Sequence, residues 1–127
     1  MRTLYEGGTF FEGPRWHDGA WYVADMYGPK VLRITPDGKA TAIAELPQRP
    51  SGIGWLPDGS MLVVSMLDRR LMRRTAEGRL ELYVDLAPHT PWFCNDMVVD
   101  GQGRAWVGNF GFDLFDHGAT PAETNLL

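Results

Sequence analysis

At 127 residues, with 44% hydrophobic and 12% aromatic content, the chain holds enough apolar side chain for one packed domain, which argues against disorder. Fifteen glycines and nine prolines punctuate it too often for long helices and suit many short strands joined by turns. A net charge of -4 and a sequence pI near 5.2 leave no basic face, which excludes nucleic acid and anionic membranes as partners and accommodates a metal cation or a neutral polar solute.

The opening Met1-Arg2-Thr3-Leu4-Tyr5-Glu6-Gly7 lacks the apolar core of a signal peptide, and the single cysteine forms no internal disulfide. No apolar run approaches the ~18 residues of a membrane span. The expected location is cytoplasmic. A strand is predicted from Gly13 to Trp16, the Asp18-Gly19 turn closes a hairpin, and Ala20 to Asp25 forms its second arm. Lys30 to Ile34 alternates polar and apolar residues, and Thr35-Pro36-Asp37-Gly38 turns the chain into Lys39 to Ala44. These four strands make one antiparallel sheet. A second set follows at Gly52 to Trp55, Ser60 to Ser65, Arg69 to Arg74 and Arg79 to Val84. A third begins at Asn95 to Val99 and continues from Arg104 to Asn109. Past Gly111 the pattern weakens into a loop around Asp116 to Pro121, and a last strand is expected to start at Asn125-Leu126-Leu127.

The three sets are copies of one unit. His17-Asp18-Gly19-Ala20-Trp21-Tyr22-Val23 returns as Pro57-Asp58-Gly59-Ser60-Met61-Leu62-Val63 and as Gly101-Gln102-Gly103-Arg104-Ala105-Trp106-Val107, with Gly19, Gly59 and Gly103 separated by 40 and 44 residues. Asp37-Gly38 and Glu77-Gly78 give a second series with a spacing of 40. A period of this size belongs to propeller blades. The expectation is an all-β, partial six-bladed β-propeller, the N-terminal part of a single domain over residues 1–127, with blade-like repeats at about 10–48, 49–88 and 93–127. That is about two and a half blades, whereas closed propellers use roughly 4 to 8. Three explanations stay open: a truncated or nicked product, a missing half supplied as a second polypeptide, or self-association that closes the ring. The first is favoured, because a stop inside a unit leaves a strand edge unpaired.

Phe11-Glu12-Gly13-Pro14-Arg15-Trp16, together with Asn95-Asp96-Met97-Val98-Val99-Asp100 and Gly103-Arg104-Ala105-Trp106-Val107-Gly108-Asn109, resembles the SMP-30/gluconolactonase/LRE family of regucalcin-like sugar lactonases. The resemblance runs from about Thr9 to Leu127 and implies a six-bladed propeller with one divalent metal in its central channel and lactone or, in some members, phosphoester hydrolysis. It implies that Glu12 is a metal ligand and that Asn95 contacts substrate or metal. Read on their own residue types, Glu12 is either a hard-cation ligand or a solvated glutamate before a turn, and Asn95 either a channel-facing carboxamide or an Asx turn. Gly13 and Pro14 would aim the carboxylate by fixing the backbone after it. Members of the family often carry Arg two positions before this Asn. Phe93 stands there instead, which points to a more apolar lactone or ester.

Asp96 is read as holding the strand end, Arg15 and Asp18 as surface or inter-blade residues, and Asp25, Ser65 and Asn109 as equivalent positions that tie blades together. Trp21 and Trp106 are read as matched inter-blade packing, while Trp92 and Phe93, in the loop before Asn95, are candidate substrate contacts at the pocket mouth. His89 in that loop is read as solvated and Cys94 as a small buried hydrophobe. No nucleophile elbow, zinc-protease helix, Walker loop or dinucleotide fingerprint occurs. The function the resemblance implies is a metal-dependent hydrolase similar to the sugar-lactone lactonases, gluconolactonase-like, acting on a small-molecule lactone or ester and inactive alone as an incomplete propeller. Its cofactor would be a divalent metal, Ca2+ first, with Zn2+, Mg2+ or Mn2+ as alternatives, and its catalytic general base would lie outside this chain. The alternatives are a non-catalytic propeller fragment used as a binding module and, among enzymes, an aryl-esterase or phosphotriesterase with the same metal cage.

Overall fold

A computed structural model describes residues 1–127 as ten strands with no helix. Strands β1 (Phe11–His17), β2 (Ala20–Asp25), β3 (Lys30–Ile34) and β4 (Ala40–Glu45) form one antiparallel sheet in chain order. Asp18 and Gly19 both adopt positive φ, 43° and 72°, as a two-residue hairpin loop with Asp-Gly chemistry requires. Strands β5 (Pro50–Trp55), β6 (Met61–Ser65), β7 (Arg70–Arg74) and β8 (Leu80–Asp85) repeat the arrangement. Strands β9 (Cys94–Val99) and β10 (Ala105–Asn109) begin a third sheet. The strand expected from Asn125 shrinks to one residue, because only Leu127 exchanges backbone hydrogen bonds with Val107, at 2.8 and 3.0 Å. Asn125 is held instead through its own carbonyl, which accepts from the Asn109 amide at 2.7 Å.

The sheets stack face to face, and side-chain alternation along the central sheet explains how. Met61 and Val63 of β6 join Ala24, Val31, Ala44, Leu46 and Ile53 in the core between the first two sheets. Leu62 and Val64 point the other way and meet Leu71, Leu86, Cys94, Met97 and Val107 between the second and third. A strand buried on both faces needs a near-continuous apolar run, and β6 reads Met-Leu-Val-Val before Ser65, with all five buried. The far face of the first sheet, around Val23, Leu32 and Ile34, is covered by Leu4 and Tyr5 of the N-terminal segment.

The same alternation shows that Trp21 and Trp106 do not occupy matching positions. By strand register Trp21 is level with Met61 and Ala105, whereas Trp106 is level with Tyr22 and Leu62, one residue on. One residue is a change of face. Trp21 therefore lies on the outer side of the first sheet against Trp16, with ring centroids 5.3 Å apart, and remains 41% exposed. Trp106 lies on the outer side of the third, 37% exposed, its indole donating to Asp100 at 3.0 Å.

Candidate functional site

The innermost strands β1, β5 and β9 converge at their starts. A Cβ on Gly52 would lie 2.4 Å from the Met97 amide nitrogen, so β5 and β9 touch backbone to backbone there. One on Gly13 would lie 3.4 Å from Asp96 Oδ1 and 3.5 Å from the Ser51 carbonyl, which brings β1 to the same place. Gly13 also sits at φ 53°, inside the register shift between Glu12 and Arg15, so the Gly13-Pro14 bulge turns the chain immediately after the Glu12 carboxylate.

Five polar side chains meet at this junction or flank it. Glu12 is half-buried and its carboxylate enters no ion pair. Asn95, also half-buried, accepts at Oδ1 from the hydroxyl of fully buried Ser51, at 3.1 Å. Arg15 reaches across β5 to Asp96, with its Nη2 at 2.7 and 2.9 Å from the two carboxylate oxygens, and donates to the Met97 carbonyl at 3.0 Å. This fastens the first sheet to the third and gives Arg15 the inter-blade role its sequence context indicated. Asp96 serves that pair and its neighbour's amide, the Met97 N–H, at 2.8 Å.

The loop before Asn95 is fixed at several points. Arg69, at φ 55°, donates to the carbonyls of Thr90 and Pro91 at 3.1 and 3.0 Å. Buried Thr90 donates its hydroxyl to Asn109 Oδ1 at 3.0 Å. Trp92 and Phe93 are half-buried neighbours with ring centroids 6.5 Å apart, and Phe93 meets Phe115 at 5.3 Å. His89 is exposed, and Cys94 is buried with its thiol pushed up to about 11 by burial, so it is an inert packing group.

Two residues at this end carry no sequence signal. Ser51 is one. Arg49, at φ 66°, is the other: its guanidinium sits 4.6 Å from the Tyr27 ring centroid and 4.7 Å from that of Phe115. It clamps a turn of the first sheet to the loop beyond the third and places a cation next to the Phe93–Phe115 pair. An arginine before a proline reads as linker; only the packing reveals it. Asp25, at the distal end of β2, is tied to the N-terminal segment. Burial opposes its charge, but the Thr9 hydroxyl and the amides of Phe10, Thr9 and Gly28 together hold its carboxyl below the ordinary range.

Glu12 and Asn95 offer oxygen donors, the chemistry a hard cation takes. They are fewer than the six to eight that Ca2+ uses, and no group of three His, Cys, Asp or Glu side chains in the chain is placed to hold a metal. The residues present fit one part of a coordination sphere in kind, not in number.

Two four-stranded antiparallel meanders and the hairpin that begins a third, stacked with converging inner strands, define part of a β-propeller. The chain belongs to the SMP-30/Gluconolactonase/LRE-like region family, whose profile matches residues 10–125. Among solved structures it is similar to a gluconolactonase from Xanthomonas campestris, with TM-score 0.77 and 22% identity, covering 98% of this chain and 44% of that one. It is similar also to regucalcin, a calcium-binding protein from Agrobacterium tumefaciens, with TM-score 0.65 and 22% identity over 80% of this chain and 39% of that one. Virginiamycin B lyase from Staphylococcus aureus shares the fold at TM-score 0.67 and 20% identity, over 89% of this chain and 41% of that one. The chain thus spans less than half the length of each. No curated protein matches it in sequence.

Proposed function

We propose that the chain supplies the first blades of a metal-dependent lactone hydrolase, the remaining blades providing the other metal ligands and the general base. Family membership supports a lactonase-like propeller. The fold alone would not, since a lyase shares it. The observation that carries the reading is the convergence of β1, β5 and β9, which sets Glu12 and the Ser51–Asn95 pair at one end of adjacent inner strands.

When bound, a divalent cation supplies Lewis acidity toward a carbonyl oxygen and acidifies water. Glu12 would hold it, its charge uncommitted to any arginine. Asn95 would orient the substrate: with Oδ1 accepting from Ser51, its NH2 group is directed to donate to a lactone oxygen or hydroxyl. Trp92 and Phe93 would pack against the apolar part of a lactone or ester, and Arg49 beside Phe115 would keep a positive charge near that surface. Ca2+ is the first ion to test, since the Glu12 carboxylate is a hard oxygen donor.

The test is Glu12→Gln in the protein containing the remaining blades. Calorimetric Ca2+ affinity and lactone turnover should fall together, each by tenfold or more. Retention of both would remove Glu12 from the metal site and favour a propeller used as a binding scaffold.

A further inference from the structure

At the opposite end of β1 from Glu12, a separate cavity of about 580 Å3 opens between the first and second sheets. Glu12 and His17 are five residues apart on one strand, about 16 Å at the rise of an extended chain. One wall is aromatic: His17 lies parallel to Trp55 at 4.0 Å and 12°, and Tyr22 meets Trp55 nearly edge-on at 4.9 Å. The wall is braced, because Tyr22 and Trp55 also pack on the core between these sheets.

The cavity is lined by three arginines, and two of them have no carboxylate partner. Arg73 is committed to Asp58 at 2.7 Å and to Ser60 at 3.0 Å. Arg33 enters no ion pair, and it shares a strand face with Val31, which packs toward the second sheet. Arg74 is cross-strand from Met61, which packs toward the first sheet; its Nε donates to the Ile43 carbonyl at 2.7 Å, and it too forms no ion pair. Two half-buried guanidiniums without carboxylate partners thus line one groove from facing sheets, where an anion between them would lower their mutual repulsion. The two acids of the lining that enter no ion pair, Asp18 and Glu77, sit exposed on the turns at the mouth. They oppose a second negative charge that extends outward.

We infer that this cavity binds a small aromatic monocarboxylate, its ring against the His17–Trp55–Tyr22 wall and its carboxylate between Arg33 and Arg74. The volume lies within the range of small-molecule sites, about 300–1,000 Å3. The acids at the mouth set the preference for one charge over two.

Calorimetry on the assembled protein with 4-hydroxybenzoate, its neutral isostere 4-hydroxybenzamide and the dianion 4-hydroxyphenyl phosphate tests this. Saturable carboxylate binding in the millimolar range or tighter is expected, with amide and phosphate each at least tenfold weaker. Arg33→Gln and Arg74→Gln should each weaken carboxylate binding about tenfold, whereas Glu12→Gln should leave it unchanged. Absence of saturable binding, equal binding of the amide, tighter binding of the phosphate or indifference to both arginine changes would overturn the assignment. The comparison of carboxylate with amide on the unaltered protein decides the matter even if an arginine variant fails to fold.

Discussion

At the scale of single residues, the orientation of one carboxamide separates two roles for Asn95. The Ser51 hydroxyl occupies an acceptor position on Oδ1 and leaves the NH2 group for substrate, so Ser51→Ala frees the amide to rotate. In the complete propeller this should raise KM several-fold and leave Ca2+ affinity within about twofold; steady-state kinetics and a Ca2+ titration check it. An equal fall in Ca2+ affinity would make Asn95 a ligand. The stability lost is about 1 kcal/mol, the usual worth of a neutral hydrogen bond. Asp25 carries a different consequence. Its folded carboxyl is depressed, so the stability it contributes is fully present above the unfolded value near 3.8 and drains away as pH falls through the lower folded one. Acid unfolding followed by circular dichroism should therefore be steeper below about pH 4 in the native chain than in Asp25→Asn, which starts less stable at neutral pH. Curves of equal slope would show that the Thr9, Phe10 and Gly28 bonds do not discriminate the charged form.

At the scale of elements, the interfaces between sheets rest on β6 and on the inner strands. Leu62 is fully buried among Val64, Leu71, Met97 and Val107, so Leu62→Ala should cost about 2–5 kcal/mol, measured by urea unfolding. Gly52→Ala acts by collision. Its Cβ would meet the Met97 nitrogen at 2.4 Å and the Asp96 carbonyl carbon at 2.7 Å, both backbone, so β5 and β9 must separate. A loss of about 2 kcal/mol or more is expected, together with faster hydrogen exchange along β9. Most of these elements were legible beforehand, because each hairpin carries its own turn chemistry and the forty-residue spacing repeats it. Asp18-Gly19 demands positive φ wherever it sits, and the Met61 to Val64 run has no polar face to show solvent. What escaped was whatever depends on a neighbour. The faces of Trp21 and Trp106 turn on a single residue of register, and the Leu127 bridge depends on the path of the preceding loop. Glu12 and Asn95 stood out through their local motifs. Ser51 and Arg49 have none, and acquire a place only because strands 44 residues apart in sequence meet, or because Tyr27 and Phe115 close on one guanidinium.

At the scale of the whole molecule, three sheets stacked in a row have two outer faces, and this chain covers neither fully. Trp16 and Trp21 are exposed on one side, Val98 and Trp106 on the other, at 54%, 41%, 56% and 37%. In a closed ring such faces lie between blades, and in the Xanthomonas campestris gluconolactonase this chain's counterpart is 44% of the length. In the proposed lactone hydrolase, catalytic competence would be a property of closure too. One carboxylate and one carboxamide cannot fill a calcium sphere, and the carboxylate beside Gly13, that of Asp96, is taken up by Arg15. Purified residues 1–127 at micromolar concentration should therefore neither bind Ca2+ tightly nor turn over lactones. Robust results in both assays would show that copies of this chain complete the site for one another. Light scattering on the same sample distinguishes the routes: a mass that rises with concentration reports the apolar outer faces pairing, whereas a constant monomer mass shows that the three-sheet stack persists alone with only the first sheet's outer face partly covered, by Leu4 and Tyr5.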